Sequence, residues 1–511
     1  MITKVKSSSY FGIDSFLVEV EVDISHGLPS FNIVGLGDTA VIESKERIRA
    51  AIRNSGYRMQ HNKIIINLTP AGKRKIGTHF DLPIAIGIMC CQNLIAFKKE
   101  LLEEYIFMGE LSLNGDLKRT QGIVSGAILA KELGYKGIVI PYENKEEGSL
   151  IKDINVIIVK NLKEVEYFLE AKNQIKNKKL KDKSLENKGL EIEKYNGIDF
   201  SDVKGQEVAK RALEICAAGG HNLIMIGTPG CGKTMLAKRI MTILPPLTEK
   251  EKIEITKIYS VAGKLTEKNP IINKRPFRSP HHTSSGVAMI GGGRIPKVGE
   301  ISLANRGVLF LDELVEFKKE ILENLREPLE EKKVFITRAN YKVEFPCKFL
   351  FLSATNPCNC GNYFEQDGSC TCSASEISKY LKKLSGPLID RIDLKVEMRR
   401  LSEDELLENI PRERSRDIRK RVVAARKIQM DRFKSEKLNG DMSSKDLEKY
   451  CFLSAENKEI MKKAIEVLRL SARGFDRVLK VSRTIADLNE SKTIKKEHIL
   501  EALSYRISDT L

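Results

Sequence analysis

Residues 227–234 read GTPGCGKT, a complete G-x-x-x-x-G-K-[ST] phosphate loop. Across Gly227, Thr228, Pro229, Gly230, Cys231 and Gly232 the three glycines let the backbone curl until its N–H groups point inward at a phosphate. The helix that follows adds the partial positive charge of its N-terminus. Lys233 would reach the β- and γ-phosphates of ATP, and the Thr234 hydroxyl would sit on Mg²⁺. Downstream, residues 307–313 read GVLFLDE, an apolar strand ending in two acids. Asp312 can complete the Mg²⁺ shell while Glu313 polarises an attacking water. A phosphate-loop pattern alone also occurs in unrelated loops. Here a strand-like run (Asn222–Ile226) precedes it, and a helix-like run (Met235–Leu244), stopped by Pro245-Pro246, follows it. The pair of motifs predicts ATP hydrolysis.

A ring ATPase needs three further groups. Asn356, at the end of the apolar run in LFLSATNP, is placed to orient the attacking water; its plainer reading is a turn residue before Pro357. Arg391, in SGPLIDRIDLKVEM, is the candidate cation lent by a neighbouring subunit to the γ-phosphate. Its plainer reading is a surface arginine paired to Asp390 or Asp393. Arg473, in LSARGFDRVLKVSRTIADL, is the candidate for sensing nucleotide in cis, with Arg477 and Arg483 as rivals.

Cysteine usage suggests a second kind of chemistry. Cys358 and Cys360, then Cys370 and Cys372, form two C-x-C pairs among ten cysteines. Residues i and i+2 of an extended chain share a face, so each pair can offer two thiolates to one ion. Four thiolates suit tetrahedral Zn²⁺, although C-x-C is tighter than the common C-x-x-C and such residues can be plain surface thiols. Cys90, Cys91, Cys216, Cys347 and Cys451 lie in apolar contexts and read as core. His281-His282 has no matching ligand pair, which favours a structural or interface role over a metal.

Several elements must position these groups. A chain of 511 residues with 41% hydrophobic and 30% charged residues fits a globular protein of about three domains. No stretch approaches the length of a membrane span, and MITKVKSSSY lacks the apolar core of a signal peptide, so a cytoplasmic protein with no membrane partner is expected. A formal charge of +17 suits a polyanion such as nucleic acid, or simply a lysine-rich solvated surface. Residues 1–170 alternate strand and helix patterns: strands at Phe16–Val22, Lys63–Leu68, Ile106–Leu113 and Gly137–Ile140, helices at Glu43–Asn54, Leu82–Cys91 and Ile123–Leu133. Residues 171–195 bury no face and read as a charged linker. Residues 196–400 hold the ATP module, opened by a helix at Gln206–Ala218. An insertion at 284–302 reads as a projecting hairpin or loop, Lys318–Glu330 as a helix apart from Pro328, and a second hairpin turns at RANY. Residues 401–511 are mainly helical and form a lid.

Taken in order, DVKGQEVAKRALEICAAGGHNLIMIGTPGCGKTMLA, FRSPHHTSS, GEISLANRGVLFLDEL, NPCNCG and LSGPLIDRIDL resemble the Mg-chelatase-like AAA+ family, in its ComM/YifB branch, over essentially the whole chain. The resemblance implies an α/β chain with a P-loop AAA+ αβα core and a C-terminal helical lid. It also implies ATP and Mg²⁺ as cofactors, a homo-hexameric ring, and single-stranded or branched DNA as partner, with other recombination proteins as further candidates. The ComM members of that family are helicases that drive branch migration while transforming DNA recombines. A magnesium-chelatase-type motor subunit acting on a partner protein is the alternative that shares the ATP core. If the ring closes on DNA, Arg294 and Lys297 in the glycine-rich insertion and Arg338 and Lys342 in the RANY hairpin would grip phosphates; each reads equally well as a solvated turn residue.

Residues 109–144 are similar to the proteolytic domain of Lon proteases, an α/β domain of the ribosomal-S5 type. Lon chemistry needs a serine activated by a lysine. The lysine position falls at Val124 and the serine region at His79-Phe80-Asp81, so no peptidase activity is expected. Lys73, Arg74 and Lys75 form a cationic run that suits nucleic acid or solvent.

Overall fold

The helix Asp81–Cys91 is apolar on nearly every side, and every residue from Asp81 to Cys90 is buried. A helix without a polar face must be covered all round. The computed structural model covers it with a four-stranded sheet and with the helix Thr39–Asn54. The structure describes residues 2–170, 197–293, 296–338, 341–365, 368–384, 386–407 and 411–506; residues 171–195, read as a linker, lie outside them. The sheet runs in the order Ile2–Phe11, Asp14–Ser25, Lys63–Thr69, Ser30–Val34, antiparallel except for the last pair. Val18, Val20 and Val22 alternate inward along the second strand, as a period of two requires. A three-stranded parallel sheet, Tyr105–Phe107, Gly137–Pro141 and Asn155–Val159, completes this α/β domain.

The strand expected over Ile106–Leu113 is two strands. Tyr105–Phe107 joins the parallel sheet, and Glu110–Leu111 pairs with Leu117–Lys118 in a small hairpin. The break falls at Gly109. Its N–H donates to the His79 carbonyl at 2.9 Å and its carbonyl accepts from the Leu82 N–H at 3.0 Å, so this backbone serves the start of the buried helix. The cationic run is also corrected. Lys75 is fully buried with its ammonium bonded to the Pro70 carbonyl, leaving Lys73, over the Phe16 ring at 4.9 Å, on the surface.

The second domain is built on a five-stranded parallel sheet in the order Phe277–Arg278, Val308–Leu311, Leu350–Thr355, Leu223–Gly227, Leu394–Met398. Its three central strands are buried throughout, as sheets covered on both faces are. In such a sheet all C-terminal strand ends lie on one edge, where ligands bind. The helix read over Lys318–Glu330 is two helices, Lys319–Asn324 and Arg326–Glu331. Pro328 falls in the first turn of the second, where its missing N–H costs nothing. The insertion contains a short helix, Gly286–Ile290, and a hairpin pairing Gly291–Gly292 with Lys297–Val298. Upstream of it, the helix Glu249–Val261 meets the N-terminal domain: Ser260 donates to Glu147 at 3.1 Å and Lys257 pairs with Asp14 at 3.0 Å.

Helices dominate residues 411–506, with Ser415–Phe433 and Ala472–Leu488 packed against the helix Glu207–Gly219. Polar bonds fasten this lid to the N-terminal edge of the sheet. Arg477 pairs with Asp393 at 2.8 Å, and the same carboxylate accepts the Asn222 N–H at 2.9 Å. Burial alone would raise the Asp393 carboxyl, but Arg477 and His221 outweigh it and hold it well below the usual range. Among the described residues no helix is long and apolar enough to cross a membrane.

Candidate functional site

Three strand ends bring the nucleotide motifs together. The phosphate loop leaves Leu223–Gly227, the acid pair leaves Val308–Leu311, and Asn356 leaves Leu350–Thr355, which lies between the other two. Gly232 has φ of 96°, a left-handed conformation that glycine adopts without strain, and the helix Lys233–Ile243 begins directly after it. Thr228 and Cys231 are buried, while Pro229 and Gly230 stand exposed at the tip of the loop.

Lys233 is folded into this cradle. Its ammonium donates to the carbonyls of Gly227 at 2.5 Å and Thr228 at 2.9 Å, and to Asn356 Oδ1 at 3.2 Å. Burial lowers its pKa from the ordinary lysine value. Thr234 Oγ1 donates to Asp312 Oδ2 at 2.6 Å, so the two groups expected around Mg²⁺ already face each other. An oxygen pair of this kind suits a hard cation that keeps part of its water shell. Glu313 adopts φ of 51°, rare for a side chain with a Cβ, and is exposed beside Asp312. Such strained backbone clusters at functional sites. Lys233, Thr234, Asp312, Glu313 and Asn356 therefore form one constellation able to hold a nucleotide triphosphate, a divalent ion and a water.

Two residues that touch this site were not singled out for it from the sequence. His282 Nδ1 lies 3.2 Å from Glu313 Oε2, and Gln206 donates to the Cys231 carbonyl at 3.4 Å. His282 follows the edge strand Phe277–Arg278, whose parallel pairing delivers its trailing loop to the same edge as the phosphate loop. That strand is two residues long, too short to register as a periodic pattern.

The two arginines lie at the other end of the sheet. Asn222 Nδ2 donates to the Arg391 carbonyl at 2.9 Å, just before the phosphate-loop strand begins. Arg391 is buried; its guanidinium pairs with Glu330 at 2.7 Å rather than with Asp390 or Asp393 and donates to the Pro387 carbonyl at 2.6 Å, and its Nε has no partner among the described residues. Arg473 is exposed and lines the same cleft as Arg391, Asn222 and Glu330. A five-residue strand separates this cleft from the chain's own phosphate loop by roughly 15 Å. This arrangement does not fit the cis role expected of Arg473. Its rivals are held by other partners: Arg477, in the same cleft, by Asp393, and buried Arg483 by Asp487 and the Ser491 and Lys492 carbonyls.

Among the DNA candidates, Lys297 is exposed on the insertion hairpin, and exposed Lys342 stands 4.9 Å over the Phe335 ring on the neighbouring one. Arg338 ends the strand Lys333–Arg338, and Arg294 lies outside the described residues. The hairpins touch: a Cβ built on Gly291 would come 3.1 Å from Ile336 Cδ1. The four clustered cysteines place their sulfurs within 4.8 Å of one another, a group able to hold a metal ion. In the N-terminal domain, His79 and Asp81 are buried where Lon chemistry needs its serine: His79 Nε2 bonds the Ser8 carbonyl at 2.8 Å and Asp81 pairs with Arg47 at 3.0 Å. Val124 is fully buried.

Comparison with known proteins finds relatives along the whole chain. Family models match along the chain: subunit ChlI of Mg-chelatase at residues 20–144, magnesium chelatase subunit ChlI at 199–406, and the ChlI C-terminal region at 412–506. The chain is 40% identical over 504 residues to the competence protein ComM of Haemophilus influenzae, covering 98% of this chain and 97% of that one. It is 41% identical over 509 residues to the uncharacterized protein YifB of Escherichia coli, covering 99% and 97%. A partial similarity, 28% over 160 residues, links it to Lon protease 2 of Bacillus subtilis, with 30% and 29% covered.

Proposed function

The chain belongs to the ComM/YifB family of Mg-chelatase-like AAA+ proteins, and from that premise we propose that it is an ATP-driven DNA motor. It hydrolyses ATP with Mg²⁺ in the cytoplasm and works as a homo-hexameric ring that unwinds branched DNA or migrates its junctions during recombination of incoming DNA. Whole-length similarity to a protein named for competence carries this reading. In it, Lys233 binds the β- and γ-phosphates, Thr234 and Asp312 hold Mg²⁺, Glu313 activates water and Asn356 orients it. Arg391 and Arg473, facing away from their own phosphate loop, reach the nucleotide of the next subunit. Lys297 and Lys342, with Arg294 and Arg338, meet the DNA backbone, and ATP hydrolysis moves the hairpins that carry them.

A magnesium-chelatase-type motor shares this ATP core, and three family models bear that name. The two readings separate on DNA. Purified protein is mixed with ATP, Mg²⁺ and a labelled three- or four-way junction at low salt. The DNA-motor reading expects ATP-dependent resolution of the junction and faster ATP turnover with DNA. Turnover indifferent to every DNA form overturns it and leaves a motor that acts on protein.

A further inference from the structure

The two C-x-C pairs do not enter the ATP mechanism, yet the fold gathers them immediately beyond its water-orienting residue. Cys358 stands two residues after Asn356, and Cys372 leads into Ser373, the N-cap of the helix Ala374–Leu381. Two backbone segments twelve residues apart thus converge on one point. Sulfur separations are 3.3 Å for Cys358–Cys360, 3.9 Å for Cys358–Cys370 and 3.6 Å for Cys360–Cys370. A Zn–S distance of about 2.3 Å in a tetrahedral site puts its sulfurs about 3.8 Å apart, whereas disulfide sulfurs stand about 2.05 Å apart. The three separations bracket the tetrahedral spacing and lie well beyond that of a disulfide, and Cys372 Sγ lies within 4.8 Å of the other sulfurs.

Cys358 is buried and the other three cysteines are half-buried, so the space between the sulfurs is partly screened from water. Among the described residues the group consists of thiols alone, with no carboxylate or imidazole, which favours a soft or borderline ion over Mg²⁺ or Ca²⁺.

The turn that closes the first pair also meets the ATP site. Gly361 has φ of 85°, and a Cβ there would lie 2.7 Å from Pro229 Cδ, so the turn seats directly against the tip of the phosphate loop. We propose that Cys358, Cys360, Cys370 and Cys372 bind one zinc ion, and that this ion braces the phosphate loop through the contact of Gly361 with Pro229. The bracing rests on the nucleotide-site reading; the ion itself does not.

The test uses the purified full chain. Elemental analysis is expected to give one zinc per chain, released when a mercurial titrates the thiols. Replacement by Co²⁺ should give the intense visible bands of a tetrahedral tetrathiolate site. The pair of substitutions Cys370→Ser and Cys372→Ser should abolish stoichiometric zinc, with thermal melting reporting whether the remaining fold persists. Affinity for a fluorescent ATP analogue should fall severalfold when the wild-type protein is stripped by a chelator, and return when Zn²⁺ is added back. Wild-type protein with less than a tenth of an equivalent of zinc and four freely titrating thiols overturns the site, as does iron with sulfide in its place. Stoichiometric zinc whose removal leaves nucleotide affinity unchanged overturns the bracing alone.

Discussion

His282 Nδ1 lies 3.2 Å from Glu313 Oε2. The histidine precedes the glycine-rich insertion, and the glutamate is the group assigned to activate water, so this ring ties the start of the insertion to the carboxylate. Both partners are partly exposed, and such a pair contributes about 0.2–1 kcal/mol. His282→Ala should release Glu313 and raise ATP turnover without DNA by about two- to fivefold, leaving the DNA-stimulated ceiling unchanged. Steady-state turnover with and without junction DNA measures this. A tenfold fall at unchanged ATP affinity would instead show that His282 holds Glu313 in its working position.

Lys233 and Glu313 serve different stages and should fail differently. Lys233→Ala removes the cation that the cradle is shaped around, so binding of a fluorescent ATP analogue should be lost along with turnover. Glu313→Gln keeps the cradle and Mg²⁺ pair intact. It should bind ATP normally while turnover falls by about 10²–10⁴-fold, the range for loss of a general base. Normal turnover in Glu313→Gln would remove that residue from the chemistry.

Much of this site was legible in the sequence because its motifs are contiguous and sit on strongly apolar strands. Lys233, Thr234, Asp312 and Asn356 converge as their spacing and flanking strands require, since a parallel sheet sends every strand end to one edge. The contact of His282 with Glu313 was not legible, because its strand is two residues long and the pairing that places it is tertiary. The position of Arg473 also escaped the sequence. Helical periodicity marks which face of Ala472–Leu488 is buried, but not which end of the sheet it packs on; Arg477 and Asp393 decide that. Gly109 breaks an apparently continuous strand for a comparable reason, since both its backbone groups are taken by the neighbouring helix start.

Arg391 and Arg473 share a cleft at the edge opposite their own phosphate loop, which makes their action across a subunit boundary testable by mixing. Arg391→Ala and Arg473→Ala should each be inactive alone, with an expected loss of about 10³–10⁵ for the arginine nearest the γ-phosphate. Rings mixed with Glu313→Gln subunits should regain turnover, because some interfaces then pair an intact arginine with an intact glutamate. Turnover that stays at zero at every mixing ratio would place the arginine in cis.

His79 gives the N-terminal domain a pH dependence of its own. Burial lowers its pKa from 6.5 to about 4, against the opposing pull of the Ser8 carbonyl and Asp38. The folded domain thus keeps this ring neutral down to about pH 4, while the unfolded chain takes up a proton near 6.5. Between those values the unfolded state binds more protons, so stability rises with pH; it is complete above 6.5 and is lost as pH falls toward 4. From pH 7.5 to 5 the loss from this one residue is about 2 kcal/mol. His79→Gln can still donate to the Ser8 carbonyl but does not titrate. Thermal melts of the parent and His79→Gln should therefore differ by a constant offset above pH 7 and converge or cross as pH falls to 5, because only the parent loses this increment. A difference independent of pH between 7.5 and 5 would mean that the folded ring accepts its proton as readily as the unfolded one.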